Sequence, residues 1–130
     1  MSHIGNIVEA AQSNAFFRKV IFTGAKSQLV VMSIPPGGEI GEETHEHVEQ
    51  TLFVESGEGV AVLDGVESPF KAGDALVVTP GTRHNVVNRG TLDLKLFTVY
   101  APPNHLDGRI HETKADADKD KADEAFGHAV

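Results

Sequence analysis

The stretch Glu43-Thr44-His45-Glu46-His47-Val48-Glu49-Gln50 carries the most information about the fold and chemistry of this chain. Side chains alternate along an extended strand, so residues two positions apart point to the same side. We therefore expect His45 and His47 to face one side together, where two neutral imidazoles can bind a divalent metal ion. An isolated His-x-His pair is more often two surface histidines in a polar loop, and the rest of the chain decides between these readings.

A second stretch, further along the chain, contains another histidine. Gly73-Asp74 opens a short strand that ends at the turn Thr79-Pro80-Gly81-Thr82, and His84 and Asn88 follow. Together the two stretches resemble the cupin superfamily, whose members are small double-stranded β-helix (jelly-roll) barrels with two short motifs. The resemblance covers roughly residues 28–100.

The first cupin motif runs Gly, five residues, His-x-His, three or four residues, Glu, six residues, Gly. His45, His47 and Gly57 match it, but Gln50 stands where the family usually has a metal-binding Glu, and the gap between His47 and Gln50 is shorter than usual. The second motif runs Gly, five residues, Pro-x-Gly, two residues, His, three residues, Asn. With its proline displaced by one position, this motif is matched by Gly73, Gly81, His84 and Asn88.

The resemblance implies a metal ion at the barrel mouth, held by His45, His47, His84 and one further side chain. Glu49 and Gln50 compete for that fourth place, and adjacent strand residues face opposite ways, so only one of them reaches the ion. If Gln50 points inward, Leu52 and Val54 also point inward. If Glu49 points inward instead, the carboxylates of Glu49 and Glu55 are both buried in a small barrel, which is energetically costly. We therefore predict Gln50.

Three His and one Gln form a neutral ligand shell, which leaves the positive charge of the ion uncancelled. Such an ion is a strong Lewis acid and attracts anionic oxygen ligands. Nitrogen and oxygen donors of this kind suit Fe, Mn, Ni, Zn, Co or Cu, so the donor set does not select one metal.

β-rich runs on both sides of these motifs predict an all-β domain. Turn signals recur about every ten residues, which is typical of a sandwich or barrel. Asp64-Gly65 predicts a hairpin, because a type I′ turn needs positive φ at both central residues. No amphipathic helical pattern occurs between residues 16 and 101, which excludes a parallel βαβ fold. The predicted strands include Phe16–Gly24, Leu29–Ile34, Thr51–Glu55, Gly59–Leu63, Ala75–Val78 and Leu92–Tyr100.

Length and charge exclude several classes of function. A chain of 130 residues corresponds to one domain, and 11 basic against 19 acidic residues give a net charge of −8. That balance argues against nucleic acid or an anionic membrane as a partner. The absence of cysteine excludes disulfides and thiolate metal sites. Met1 to Asn14 lacks the features of a signal peptide, so we expect a cytoplasmic protein.

The end of the chain changes in composition. We divide the sequence into a barrel domain, residues 1–111, and an acidic tail, residues 112–130, which is poorly ordered or helical. The tail is rich in Ala, Asp and Lys, so we expect it to be solvated and removable beyond about Thr113. The alternative is a helix that docks Phe126 onto a partner subunit.

Other polar residues receive structural interpretations. We expect Asn88 to order the turn at Arg89-Gly90, Arg83 to project into solvent, and His105 and His111 to be exposed loop histidines. Phe53 points outward in the predicted strand phase, and an outward Phe on a sheet face favours a homodimer.

Fold does not fix function, because cupin barrels include dioxygenases, isomerases, lyases and plain binding domains. We predict a metal-dependent enzyme of one of these kinds, acting on a small oxygenated, anionic metabolite or a sugar derivative. The alternative is a non-catalytic sensor or storage module that binds a small ligand or a metal. The sequence names neither the substrate nor a catalytic residue.

Overall fold

Antiparallel β-strands make up most of the chain in the computed structural model, which describes residues 1–129. Within those residues there are nine strands and three short helices. In chain order they are α1 (Ile7–Ser13), β1 (Arg18–Thr23), β2 (Gln28–Ile34), β3 (Glu49–Ser56), β4 (Glu58–Leu63), β5 (Val66–Lys71), β6 (Ala75–Val78), β7 (His84–Val87), β8 (Leu94–Ala101), β9 (Ile110–His111), α2 (Lys114–Lys119) and α3 (Lys121–Ala129).

The strands form two sheets. The larger sheet has the order β6-β3-β8-β2-β1-β9, and the smaller one has the order β5-β4-β7. Every paired neighbour is antiparallel, and the strand neighbours are mostly distant in sequence, as in a jelly roll. The predicted all-β barrel is confirmed.

The barrel interior is filled by alternate residues of β3 and β8. On β3, Gln50, Leu52 and Val54 are buried while Glu49 is exposed, so the predicted strand phase is confirmed. Phe53 faces the other side and stacks on Phe97 of β8 with a centroid distance of 4.9 Å. This alternation brings the polar amide of Gln50 into the interior, beside the buried Thr98.

Two turns show why the sequence has glycine where it does. Asp64 and Gly65 both have positive φ, 49° and 81°, as the predicted type I′ hairpin between β4 and β5 requires. Gly57 has a φ of 90°, and a Cβ there would lie 2.7 Å from the Asp93 carbonyl oxygen. Only glycine fits that position, which links β3 to β4.

The acidic tail is helical and docked on the barrel. Asp123 of α3 is 5% exposed, and its carboxylate accepts hydrogen bonds from His105 Nδ1 (2.7 Å) and the Leu106 backbone N–H (2.6 Å). The prediction that the tail is poorly ordered or helical is confirmed in its second form. The expectation that the tail is solvated is wrong for Asp123, which is buried, and for Ala117 of α2, which packs against the hydrophobic core. Val130, which ends the predicted tail, lies outside the described residues.

A short helix precedes the barrel. Asn6 caps α1 by accepting from the Glu9 N–H at 3.0 Å, and the helix packs against β2, β3 and β8. No helix in residues 1–129 has the length and apolar character needed to cross a membrane.

Candidate metal centre and its cavity

Glu43, His45 and His84 bring their ligand atoms within 4.8 Å of one another. The backbone explains this: Glu43 and His84 exchange two N–H···O hydrogen bonds of 2.9 Å, so the segment before β3 runs antiparallel to β7. His45 lies two residues beyond Glu43, and its ring centroid is 5.3 Å from that of His84. Local pairing of two distant segments thus assembles the three donors.

His45 Nε2 is a buried polar atom whose bonding is incomplete. It lies 3.0 Å from Glu43 Oε2, but the ring nitrogen is not directed at the carboxylate as a hydrogen bond requires. Two ligand atoms that each lie about 2.1 Å from an ion at a right angle are themselves about 3.0 Å apart. The donor set and its spacing therefore fit a divalent metal ion.

Hydrogen bonding and charge prepare two of these groups for metal binding. His84 Nδ1 donates to the Thr82 carbonyl at 2.9 Å, which leaves Nε2 with its lone pair, and burial lowers the pKa of His84. Burial alone would raise the pKa of the Glu43 carboxyl, but contact with His45 and the charge of Arg18 outweigh it and lower the pKa to about 2. At neutral pH the site combines a carboxylate with a neutral imidazole.

His47 lies apart from the group formed by Glu43, His45 and His84. It is exposed and joins neither of the two groups of potential metal-binding side chains found in residues 1–129. The chain bends at Glu46 and His47, so the alternation of an extended strand does not apply there. The expectation that His45 and His47 face one side together is therefore not met.

The motif spacing contains the signal that points to Glu43. Gly37, five residues, Glu43-x-His45, four residues, Gln50, six residues and Gly57 reproduce the first cupin motif throughout, with Glu43 in the place of its first His. The short gap between His47 and Gln50 reflects a shift of two positions in the assumed register.

Gln50 lies on the inner face of the barrel. It is 3% exposed, its Nε2 donates to Thr98 Oγ1 at 3.1 Å, and it is the cross-strand neighbour of Tyr100. The Tyr100 ring in turn contacts His45 edge-on, with a centroid distance of 6.2 Å.

A cavity of about 370 Å³ opens beside Glu43 and His45. Its other walls come from Arg18 on β1, the loop that carries His105, and helix α3, which contributes Asp123. Glu43 and His45 of the candidate metal centre therefore lie on the wall of a cavity that can admit a small molecule.

His105 and His111 are buried, 7% and 3% exposed, and not exposed loop residues as the sequence suggests. His105 pairs with Asp123, and His111 Nε2 lies 2.9 Å from Asp120 Oδ2. Both acidic partners belong to the tail. A prediction that leaves the tail in solvent therefore also leaves these two histidines exposed.

Two simpler expectations are confirmed. Asn88 Oδ1 accepts from the Gly90 N–H at 2.9 Å and therefore orders that turn. The Arg83 side chain is exposed, and its nearest acidic partner is Glu42 at 3.8 Å.

Comparison with known proteins identifies relatives that match most of the chain. The YrkC protein of Bacillus subtilis is 43% identical over 118 residues, which is 86% of this chain and 63% of the relative. The chain thus spans less than two thirds of that protein. A crystal structure from Bacillus halodurans has 37% identity and a TM-score of 0.88, covering 90% of this chain and 93% of the other.

A third relative covers only part of the chain. The oxalate-binding protein of Thermotoga maritima is 35% identical over 68 residues, 52% of this chain and 56% of the relative. The family model described as a cupin domain matches residues 30–100, which include Glu43, His45, Gln50 and His84. With the barrel, both motifs and this match in agreement, the chain belongs to the cupin family.

Proposed function

We propose that Glu43, His45 and His84, with Gln50 as fourth ligand, hold a divalent metal ion and that the protein is a metal-dependent enzyme. The observation that carries this proposal is the buried His45 Nε2, which lies 3.0 Å from Glu43 Oε2 without a hydrogen bond. A buried donor of this kind is costly unless something binds it.

Glu43 changes the charge of the proposed ligand shell. Two imidazoles, one amide and one carboxylate carry a charge of −1, in place of the neutral shell of three His and one Gln expected from the sequence. A divalent ion in this shell keeps a net charge of +1, and it still attracts anionic oxygen ligands. The bound ion would act as a Lewis acid that polarises such an oxygen.

Arg18 is the residue of the cavity wall that supports a small anionic ligand, and five acidic residues share that wall. The cavity volume of about 370 Å³ suits a small metabolite, and Arg18 contributes a positive charge to its wall. The relative from Thermotoga maritima that is named as an oxalate-binding protein supports a carboxylate ligand. We therefore propose a small oxygenated carboxylate as substrate and a dioxygenase, isomerase or lyase reaction.

A non-catalytic binding module is the alternative. The proposed enzyme requires the metal and converts its ligand, whereas the module binds a small ligand or a metal and converts nothing. Incubation of the metal-loaded protein with a panel of small hydroxy and keto acids, followed by mass spectrometry, distinguishes them: binding without any product supports the module.

Metal content tests the site itself. We expect Glu43→Ala, His45→Ala and His84→Ala to lose most of the metal that the unaltered protein retains after reconstitution with Mn, Fe, Co, Ni, Cu or Zn, as measured by elemental analysis. Gln50→Ala should reduce retention less, because an amide is a weaker ligand. His47→Ala is the matched control, since it removes an exposed histidine two residues from His45, and it should keep its metal. Equal retention by Glu43→Ala and His47→Ala contradicts the proposal.

We also propose a homodimer. The stacked Phe53 and Phe97 rings lie on the outer face of the larger sheet and are only partly buried. Light scattering over a range of concentrations tests this, and a molecular mass that stays at 13.9 kDa contradicts it.

A further inference from the structure

Unpartnered buried polar atoms concentrate around the cavity. In residues 1–129 five buried side-chain nitrogen or oxygen atoms have no hydrogen-bond partner, and four of them belong to residues that line the cavity. Besides His45 Nε2 these are Arg18 Nε, Asn104 Oδ1 and His105 Nε2. Because such atoms are rare in folded proteins, their common location indicates a binding site.

Arg18 is the charged group of this set. Arg18 is only 6% exposed. In the described part of the chain no carboxylate oxygen lies within 4.0 Å of its side-chain nitrogens. Its contacts include the Phe17 ring, 5.2 Å from the guanidinium carbon, and His111 Nδ1 at 3.4 Å, and Tyr100 lies beside it. Buried guanidinium groups are normally paired with an anion, so Arg18 has a free capacity to bind one.

His105 offers the opposite kind of hydrogen-bonding group. The Asp123 carboxylate only accepts hydrogen bonds, so His105 Nδ1, 2.7 Å away, is the donor of that pair. In the neutral ring Nε2 then carries a lone pair, and this atom is the buried one without a partner. Helix α3 thus fixes, in a residue that lines the cavity, an imidazole whose hydrogen-bond acceptor has no partner.

We propose that Arg18 and His105 form a subsite for a small hydroxycarboxylate, in which Arg18 donates to the carboxylate and His105 Nε2 accepts from the hydroxyl. This inference deepens the proposed function, on which it rests, by naming the ligand class of the same cavity. Both residues lie outside the 30–100 segment that matches the cupin domain. The segments before and after the matched domain therefore determine which ligand the metal centre receives.

Three probes separate the two contacts in the metal-free and the zinc-loaded full-length protein. Glycolate has both groups, acetate lacks the hydroxyl, and glycolamide replaces the carboxylate by a neutral amide. NMR titration of the metal-free form should show glycolate binding more tightly than either of the other two. We expect Arg18→Met to weaken glycolate and acetate by about tenfold or more and to weaken glycolamide much less, because the amide oxygen accepts from Arg18 without carrying a charge. His105→Phe should bring glycolate down to the affinity of acetate.

Arg89→Met is the matched control, because Arg89 is exposed, pairs with Glu67 at 2.7 Å and does not line the cavity. It should bind all three probes like the unaltered protein. Two results with the unaltered protein overturn the inference. One is an equal affinity for glycolate and glycolamide, and the other is the absence of glycolate binding in both the metal-free and the zinc-loaded protein. A folded Arg18→Met protein with unchanged glycolate affinity also overturns it. Loss of the metal with glycolate binding retained in the metal-free form contradicts only the proposed function.

Discussion

Gln28 at the start of β2 holds the loop that carries His105. Its Oε1 accepts from the backbone N–H groups of Asn104 (3.1 Å) and His105 (3.0 Å), and its Nε2 donates to the His105 carbonyl at 2.8 Å. A single side chain therefore satisfies three backbone groups of an irregular segment. Such a segment has no strand neighbour to bond with, so its position depends on this residue.

We expect Gln28→Met to destabilise the protein by about 3 kcal/mol or more, because the apolar replacement keeps the shape but leaves buried backbone groups unpaired. Urea unfolding measures this change. Gln12→Met is the control: Gln12 is exposed and its side chain bonds only to Glu55, so a change within about 0.5 kcal/mol is expected. Similar values for the two variants contradict the role of Gln28.

For single residues, the sequence predicts the location of some side chains correctly and misses others. Gln50 rather than Glu49 faces inward because strand alternation is a local rule and holds throughout β3. The prediction for His47 fails because a bend interrupts the alternation. Glu43 is missed because the motif is aligned on the two histidines, two positions away from the register that its full spacing supports. Arg18 and Asp123 depend on contacts between distant segments, which no local rule contains.

Helix α3, which is part of the tail, lines the cavity beside the candidate metal centre. Besides Asp123, the residue before α3, Asp120, joins the tail to the barrel: its carboxylate accepts from Arg109 Nε at 2.7 Å and lies 2.9 Å from His111 Nε2. The composition of the tail correctly indicates poor apolar packing. It does not reveal that two of its acidic residues have buried or half-buried partners elsewhere in the chain.

Asp123→Asn should lower the free energy of unfolding by about 1–3 kcal/mol, since it replaces charge-assisted hydrogen bonds to His105 and Leu106 by neutral ones. Asp118→Asn is the matched control, because Asp118 is an exposed aspartate of α2 whose partner, Lys114, lies on the same helix at 3.0 Å. Its effect should stay within about 0.5 kcal/mol.

A chain ending at Thr113 should also melt at a lower temperature than the full-length protein. Equal melting temperatures contradict the docked tail.

The whole molecule should lose stability in two stages as the pH falls. Burial lowers the pKa of His105 although Asp123 opposes the effect, so the unfolded chain takes up a proton below about pH 6.5 before the folded protein does. Stability therefore decreases as the pH falls below that value. Hydrogen bonds from Arg109 and His111 hold the pKa of Asp120 well below its usual range, so its contribution is complete above about pH 4 and is lost below it.

Thermal melts of the metal-free protein between pH 8 and pH 3 test this profile. His105→Phe should weaken the stage near pH 6, to which the buried His84 also contributes, and leave the stage below pH 4 in place. A melting temperature that is constant or rises between pH 7 and pH 5 contradicts the assignment of a neutral, buried His105.

The barrel is predictable from the sequence as a whole because its signals are numerous and agree. Alternating strands, glycine turns and two spaced motifs all indicate one fold, and an error in one of them does not change the result. The cavity is different, since it is enclosed by β1, a loop and α3, whose mutual positions follow only from the completed barrel.

Arg18 on β1 and helix α3 are far apart in sequence but meet at one cavity, and this has a consequence for synthesis. A nascent chain that has emerged as far as β8 already contains Glu43, His45 and His84, so the proposed metal ligands can come together while α3 is still inside the ribosome. At that stage His105 has no Asp123, and the cavity lacks one wall. A metal ion bound at that point would enter through a wide opening, which the docking of α3 then narrows.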